Sequence, residues 1–278
     1  MRALLAAHEL RPAKALGQNF LVDPNTARKV VRLAGVEPGE TVLEIGPGLG
    51  SLTLALRRAG ARVVAVEADE RLLPALAEAL GDDPEVRVVA GDALRLDLAG
   101  LAPDAHTLVA NLPYNLAATI VLEVLTSFPR YERLTVMVQR EVGERLAAAP
   151  GTGAYGATSV KVAALAEARL LAPVGRGVFL PEPHVDSVLV GLRRRRHPAT
   201  AAVPWQALDR VIEAGFSQRR KTLRNSLRTL GLSQEEVETL GRTARVDLGL
   251  RAERLDVEAF AALASALDGA PRPLEPRG

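Results

Sequence analysis

An open, mostly parallel α/β sheet followed by a small all-helical domain is the fold this sequence predicts. Three observations carry the prediction. Over the first two-thirds of the chain, short Val- and Leu-rich runs alternate with helix-patterned segments. The runs lack polar alternation, as expected of strands buried on both faces. One of them leads directly into a glycine-rich turn at residues 46–50. After Arg196-His197-Pro198 the strand pattern stops and only helical periodicity remains. Such βαβα order builds a parallel sheet with helices on both sides.

Strands are expected at 41–45, 62–67, 86–90, 106–110 and 133–138, with further strands near 168–172 and at 187–192 completing seven. Between them, helical spacing covers 51–59, 70–80, 117–128 and 141–149, and another helix starts near Tyr155-Gly156. In the C-terminal part, Pro204 suits a first helical position, and Trp205, Leu208, Val211, Ile212 and Phe216 follow at helical spacing. Ser233 and Glu236 form a capping-box pattern. Asp256 is placed to cap a helix carrying Val257, Phe260 and Leu263. These readings predict one domain over 1–198, a helical domain over 199–268, and a frayed tail over 269–278.

A content of 48% hydrophobic and 24% charged residues supports a folded core. With no cysteine and only 4 scattered histidines, neither disulfides nor a metal site is expected. No run reaches the roughly 18 apolar residues of a membrane span, and the N-terminus lacks the pattern of a signal peptide. A cytoplasmic protein without membrane association is therefore expected. Its net charge is +2, but the stretch 193–228 holds ten Lys and Arg against Asp209 and Glu213. A basic segment on an otherwise acidic chain points to a polyanionic partner.

Two sets of residues carry chemistry. Glycines 46, 48 and 50 allow a tight turn and close approach of backbone to a ligand at a helix start. Their G-x-G-x-G spacing is one residue shorter than the dinucleotide fingerprint. It is similar to the turn of Rossmann-like S-adenosylmethionine methyltransferases. Glu67 ends the second strand about twenty residues on, where an acid accepts from ribose hydroxyls. Asp92 follows the third strand and is placed to accept from an adenine amine. Each acid alone reads as a helix cap or a surface charge; their order at successive strand ends assigns them to a cofactor.

The second set is Asn111-Leu112-Pro113-Tyr114-Asn115, at the end of the fourth strand. An exocyclic amine on a base is a poor nucleophile, because its lone pair is delocalised into the ring. The Asn111 amide oxygen and the Leu112 carbonyl can each accept one of its N–H groups. Accepting both favours a pyramidal nitrogen with its lone pair aimed at a methyl donor. Pro113 fixes the local backbone, and Tyr114 can lie against the base face.

With these residues assembled, the chain resembles the bacterial small-subunit rRNA adenine N6,N6-dimethyltransferases from Gly17-Gln-Asn-Phe-Leu21 to about Leu267. The similarity includes Gln139-Arg-Glu141, Tyr155-Gly156, the stretch Phe179–Ser187 and the stretch Phe216–Leu227. Macrolide-resistance 23S rRNA methyltransferases share the fold and the catalytic motif but fit the last two stretches less well. The resemblance implies dimethylation of two adjacent adenines in the 3′-terminal hairpin of 16S rRNA, within the small subunit or its late precursor, by a monomer. It implies cofactor contacts from Asn19, Leu21, Gly46, Gly48, Glu67, Asp92 and Asn111. It also implies an adenine held between Tyr114 and Phe179. His184 departs from the family, where Lys or Arg is common.

Arg219, Arg220, Lys221, Arg224 and Arg228 are the expected RNA-gripping residues, with 220, 224 and 228 at i, i+4 helical spacing. Rival functions fit less well. A DNA adenine methyltransferase more usually has a second proline before the aromatic residue. A small-molecule methyltransferase has no need of a basic helical domain. A non-catalytic assembly factor has no need of an intact Asn111–Tyr114 motif.

Overall fold

The computed structural model describes residues 2–13, 17–196, 203–218 and 220–269. Its strands are β1 (Phe20–Leu21), β2 (Thr41–Ile45), β3 (Arg62–Glu67), β4 (Val86–Ala90), β5 (Thr107–Asn111), β6 (Arg133–Gln139), β7 (Ala166–Val174), β8 (Phe179–Leu180) and β9 (Ser187–Arg194). The α-helices are α1 (Arg2–Ala7), α2 (Pro24–Ala34), α3 (Ser51–Arg58), α4 (Leu73–Leu80), α5 (Leu98–Leu101), α6 (Ala117–Ser127), α7 (Arg140–Leu146), α8 (Ala157–Leu165), α9 (Trp205–Phe216), α10 (Leu223–Leu227), α11 (Gln234–Ala244) and α12 (Val257–Asp268).

Seven strands form one sheet in the order β4-β3-β2-β5-β6-β9-β7. Strands β2 to β6 run parallel, and β9 joins antiparallel to both β6 and β7. The Rossmann-like α/β architecture expected from the sequence is therefore present. The central strands are apolar because helices cover both faces, and Val42, Leu43, Val109, Val136 and Met137 are fully buried. On one side α2 and α3 contribute Val30, Val31, Leu52, Ala55 and Leu56 to the core around Val42 and Val63. A separate antiparallel pair joins β1 to β8, with Phe20 opposite Leu180 and Leu21 opposite Phe179. Sequence reading missed both this pair and α2.

The chain divides into two compact units. The first comprises residues 1–147 and 166–194, and the second 148–165 and 195–278. The division expected near 198 is thus corrected in one respect, since 148–165 belongs with the C-terminal helices. The reason is packing. Tyr155, Val160 and Ala164 share one apolar cluster with Leu208, Ile212, Leu240 and Phe260. The Tyr155 hydroxyl donates to the Leu255 carbonyl at 2.8 Å. Lys161 on α8 is paired with Asp209 and Glu213 of α9, both at 2.6 Å.

Helix ends in this unit follow local chemistry. Ser233 and Glu236 make a complete capping box, and the Asp256 side chain caps α12. Pro204 sits one place before the helix as its N-cap, with ψ 133°, rather than in its first turn. Residues 197–202 and 270–278 of the expected boundary and tail lie outside the described residues. No helix among the described residues is long and apolar enough to cross a membrane.

Candidate active site

Parallel strands aim their C-terminal ends at one edge of the sheet, and the sequence places its polar residues there. Ile45 ends β2 and leads into Gly46, Glu67 ends β3, Asp92 follows β4, and Asn111 ends β5. All four strand ends line one cleft of about 800 Å³, solvent-open mouth included. Gln18 and Asn19 form part of its wall, as do Pro113, Tyr114 and Leu116.

The glycine turn has a geometric reason for its composition. Gly46, Gly48 and Gly50 have φ of 71°, 58° and 83°, a region costly for residues with a Cβ. At Gly48 a Cβ would also lie 2.8 Å from the Phe20 ring.

Glu67 is buried, and its two oxygens accept from Gly48 N at 3.0 Å and Asp69 N at 2.9 Å. Burial pushes its carboxyl above the usual range; the two backbone N–H groups oppose that push and the nearby Asp69 charge adds to it. Asp92 is exposed. It accepts from Leu94 N at 3.0 Å and lies 3.6 Å from Arg95, so one side of the carboxylate caps its own turn.

Asn111 is half-buried, and its Nδ2 donates to the Asn19 carbonyl at 3.0 Å. Leu112 is buried, and its N–H donates to the Met137 carbonyl on β6 at 3.1 Å. The Tyr114 hydroxyl meets Ser187 Oγ at 2.7 Å. Burial, foremost, raises the Tyr114 pKa, so the phenol stays neutral in the ordinary range.

Two expected site residues, Phe179 and Leu21, are not among those lining the cleft. Phe179 is only 4% exposed and packs in the apolar cluster with Leu21, Val174 and Leu189. Its β8 pairing with Leu21 draws it into that cluster. Leu21 is likewise buried, but it borders a small polar recess beside the cleft.

That recess contains a residue the sequence reading did not single out. Glu44 is 1% exposed, and its Oε2 has no hydrogen-bond partner among the described residues. Burial, foremost, pushes its carboxyl up to about 8, and the Glu67 charge adds to the effect. Gly46, Gly48, Ser51 and Asn111 line the same recess. The signal was present in the sequence: an acid in the middle of an otherwise apolar strand is costly unless a ligand or partner uses it.

These residues fit S-adenosylmethionine. Glycines admit close backbone approach, Glu67 and Asp92 supply acceptors for hydroxyls and an amine, and Val66, Leu72 and Ala93 give apolar walls.

Residues 10–268 match the family of ribosomal RNA adenine dimethylases. The chain belongs to that family. It is therefore an S-adenosylmethionine-dependent rRNA adenine dimethyltransferase. The chain is 48% identical over 270 residues to the ribosomal RNA small subunit methyltransferase A of Thermobifida fusca, covering 95% of this chain and 93% of that protein. Among solved structures it resembles the 23S rRNA methyltransferase ErmE at a TM-score of 0.65, with 29% identity over 90% of this chain and all of that one. A dimethyladenosine transferase from Plasmodium falciparum matches at a TM-score of 0.75, covering 88% of this chain and 95% of that one. At 23% identity it supports the fold alone.

In the second unit the basic residues are not on one continuous helix. Thr222 has an extended backbone and starts α10, so Arg220 lies in the preceding turn and Arg228 in a following 3₁₀ turn. The expected i, i+4 face is corrected accordingly. Arg220, Lys221 and Arg228 are exposed, and Arg224 is paired with Glu238. Arg219 lies outside the described residues.

Proposed function

We propose that this enzyme dimethylates the N6 amines of two adjacent adenines in the 3′-terminal hairpin of 16S rRNA. It acts as a cytoplasmic monomer on the small subunit or its late precursor. The observation that carries this reading is the position of Asn111, which borders the cleft holding Glu67 and Asp92 and also the recess of Glu44. An amide there reaches both a cofactor and a base.

S-adenosylmethionine, when bound, supplies a methyl group already activated by its sulfonium. The protein's task is to position and polarise. Asn19, Leu21, Gly46, Gly48, Glu67 and Asp92 hold the cofactor. The target adenine leaves its stack, and Tyr114 supports its face. Asn111 Oδ1 and the Leu112 carbonyl accept the two N–H groups of N6 and turn its lone pair toward the methyl group. Bound there, the cofactor would give up its methyl group to the amine by direct displacement, leaving as a neutral thioether, and the N6 proton would pass to water. A second round requires the mono-methylated amine to rotate beside Asn111. Arg219, Arg220, Lys221, Arg224 and Arg228 engage rRNA phosphates.

The test is mass spectrometry of 16S rRNA from unmethylated small subunits incubated with the protein and isotopically labelled cofactor. Two adjacent N6,N6-dimethyladenosines in the 3′-terminal hairpin are expected. Label confined to other nucleotides, or to 23S rRNA when both subunits are offered, overturns the assignment.

A further inference from the structure

Asn111 has two chemically different ends, and only one serves the reaction. With Oδ1 toward the target it accepts from the amine; with Nδ2 toward the target it places donor against donor. Its orientation is set by the Asn19 carbonyl, which can only accept and which takes Nδ2 at 3.0 Å. The productive orientation of Asn111 therefore depends on where a short strap, residues 17–21, holds that carbonyl.

The strap is pinned from several sides. Its C-terminal end is β1, paired with β8. At its start, Gly17 has φ 63°, and a Cβ there would lie 2.8 Å from Asn115 Oδ1 and 3.2 Å from Tyr114 N. Between these ends the tie is Gln18. Its Oε1 accepts from Ala13 N at 2.8 Å, and its Nε2 donates to Asp69 Oδ2 at 2.8 Å. Asp69 is itself fixed: Arg71 holds its carboxylate at 2.7 and 2.8 Å, and its N–H donates to Glu67 at 2.9 Å. Asp69 is thus held ionised, chiefly by Arg71 with help from Gln18. Gln18 links the carboxylate end of the cleft to the amide end.

We infer that Gln18 is a positioning residue for methyl transfer, acting through the Asn19 carbonyl on the orientation of Asn111. It needs both ends of an amide, one to accept from Ala13 and one to donate to Asp69, and neither Ala nor an ionised Glu supplies both. The inference rests on the reading of Asn111 as the acceptor for the target amine.

The experiment measures single-turnover methylation of unmethylated small subunits by the full chain at saturating cofactor. Gln18→Ala, Gln18→Glu, Asn111→Ala and the Gln18→Ala/Asn111→Ala double variant are compared. Gln18→Ala should lower the rate about 10- to 100-fold, as for a misplaced reacting group, and the loss should persist at saturating cofactor even where the strap carrying Asn19 also weakens cofactor binding. Gln18→Glu places a carboxylate against ionised Asp69 at neutral pH. Relative to wild type it should recover activity as pH falls and the new acid regains a donor proton. This size-conserving variant also guards against a folding defect in the alanine variant. The double variant should be no slower than Asn111→Ala alone, because Gln18 acts through Asn111.

Full rate in Gln18→Ala, an effect confined to cofactor affinity, multiplicative losses in the double variant, or no pH recovery in Gln18→Glu each overturn the inference. If Asn111→Ala itself keeps the wild-type rate, the reading of Asn111 fails first, and the two failures are told apart.

Discussion

Replacing Glu44 by Gln should change the pH dependence of stability in a calculable way. Glu44 is buried in β2, its Oε2 lacks a partner among the described residues, and burial raises its carboxyl from an ordinary 4.5 to about 8. In the unfolded chain the acid ionises near 4.5; in the folded protein it stays protonated until about pH 8. The folded state therefore binds one more proton between these values, and stability falls as pH rises through that window. Over that interval, at roughly 1.4 kcal/mol per pH unit, the loss amounts to roughly 5 kcal/mol. This is an upper bound, because relaxation and water entry soften the penalty. It is still large against the roughly 5–15 kcal/mol of a typical domain. Glutamine keeps the shape and stays neutral. Urea denaturation of the cofactor-free protein from pH 5 to 9 should show Glu44→Gln close to wild type near pH 5. Above pH 8 it should be more stable by up to several kcal/mol. A constant difference between the two profiles would refute the claim that Glu44 is buried neutral.

Three further expectations follow from the site. Glu67→Ala and Asp92→Ala each remove a charged acceptor, worth about 1.5–3 kcal/mol, so cofactor affinity should fall roughly 10- to 100-fold by calorimetry; unchanged affinity in both contradicts their assignment. Phe179→Ala should act on stability, since truncating a buried Phe costs about 3–5 kcal/mol; normal denaturant stability with impaired base capture would instead return the ring to the substrate. Neutralising Arg220, Lys221 and Arg224 together should weaken subunit binding and flatten its salt dependence by roughly 0.7–0.9 per lost phosphate contact. Arg224 is expected to give the least, because Glu238 already holds it.

The parallel core was legible because burial on both faces leaves little choice of residue. β2, β3 and β4 match the Val-rich runs end for end, and β5 is shifted by one residue, starting at Thr107 and including Asn111. The omission of α2 was avoidable. Asp23 caps it through Asn25 N and Thr26 N, Pro24 opens it, Gly35 ends it in a left-handed conformation, and Ala27, Val30, Val31 and Ala34 form its buried stripe. Other features had no local signal. A two-residue strand such as β1 carries no periodicity, and its partner β8 lies far along the chain. Tyr155 joins the second unit through contacts about a hundred residues away. Phe179 sits beside glycines and prolines, a context that suggests an exposed loop, yet its pairing with Leu21 buries it. Glu67, Asp92 and Asn111 could be read because strand ends collect them; Gln18 and Ser187 could not, since their roles come from Asp69 and Tyr114, brought near by folding.

The most direct measurement of the central claim is the methyl-transfer rate of Asn111→Ala at saturating cofactor and saturating small subunits, with cofactor affinity determined in parallel. If the Asn111 amide and the Leu112 carbonyl align the target amine, the rate should fall by roughly 100-fold or more, as for loss of a preorganised polar group, while the fold stays intact and cofactor affinity changes far less. A wild-type rate at saturation, with only a higher Michaelis constant for the subunit, would make Asn111 a binding residue and contradict the account.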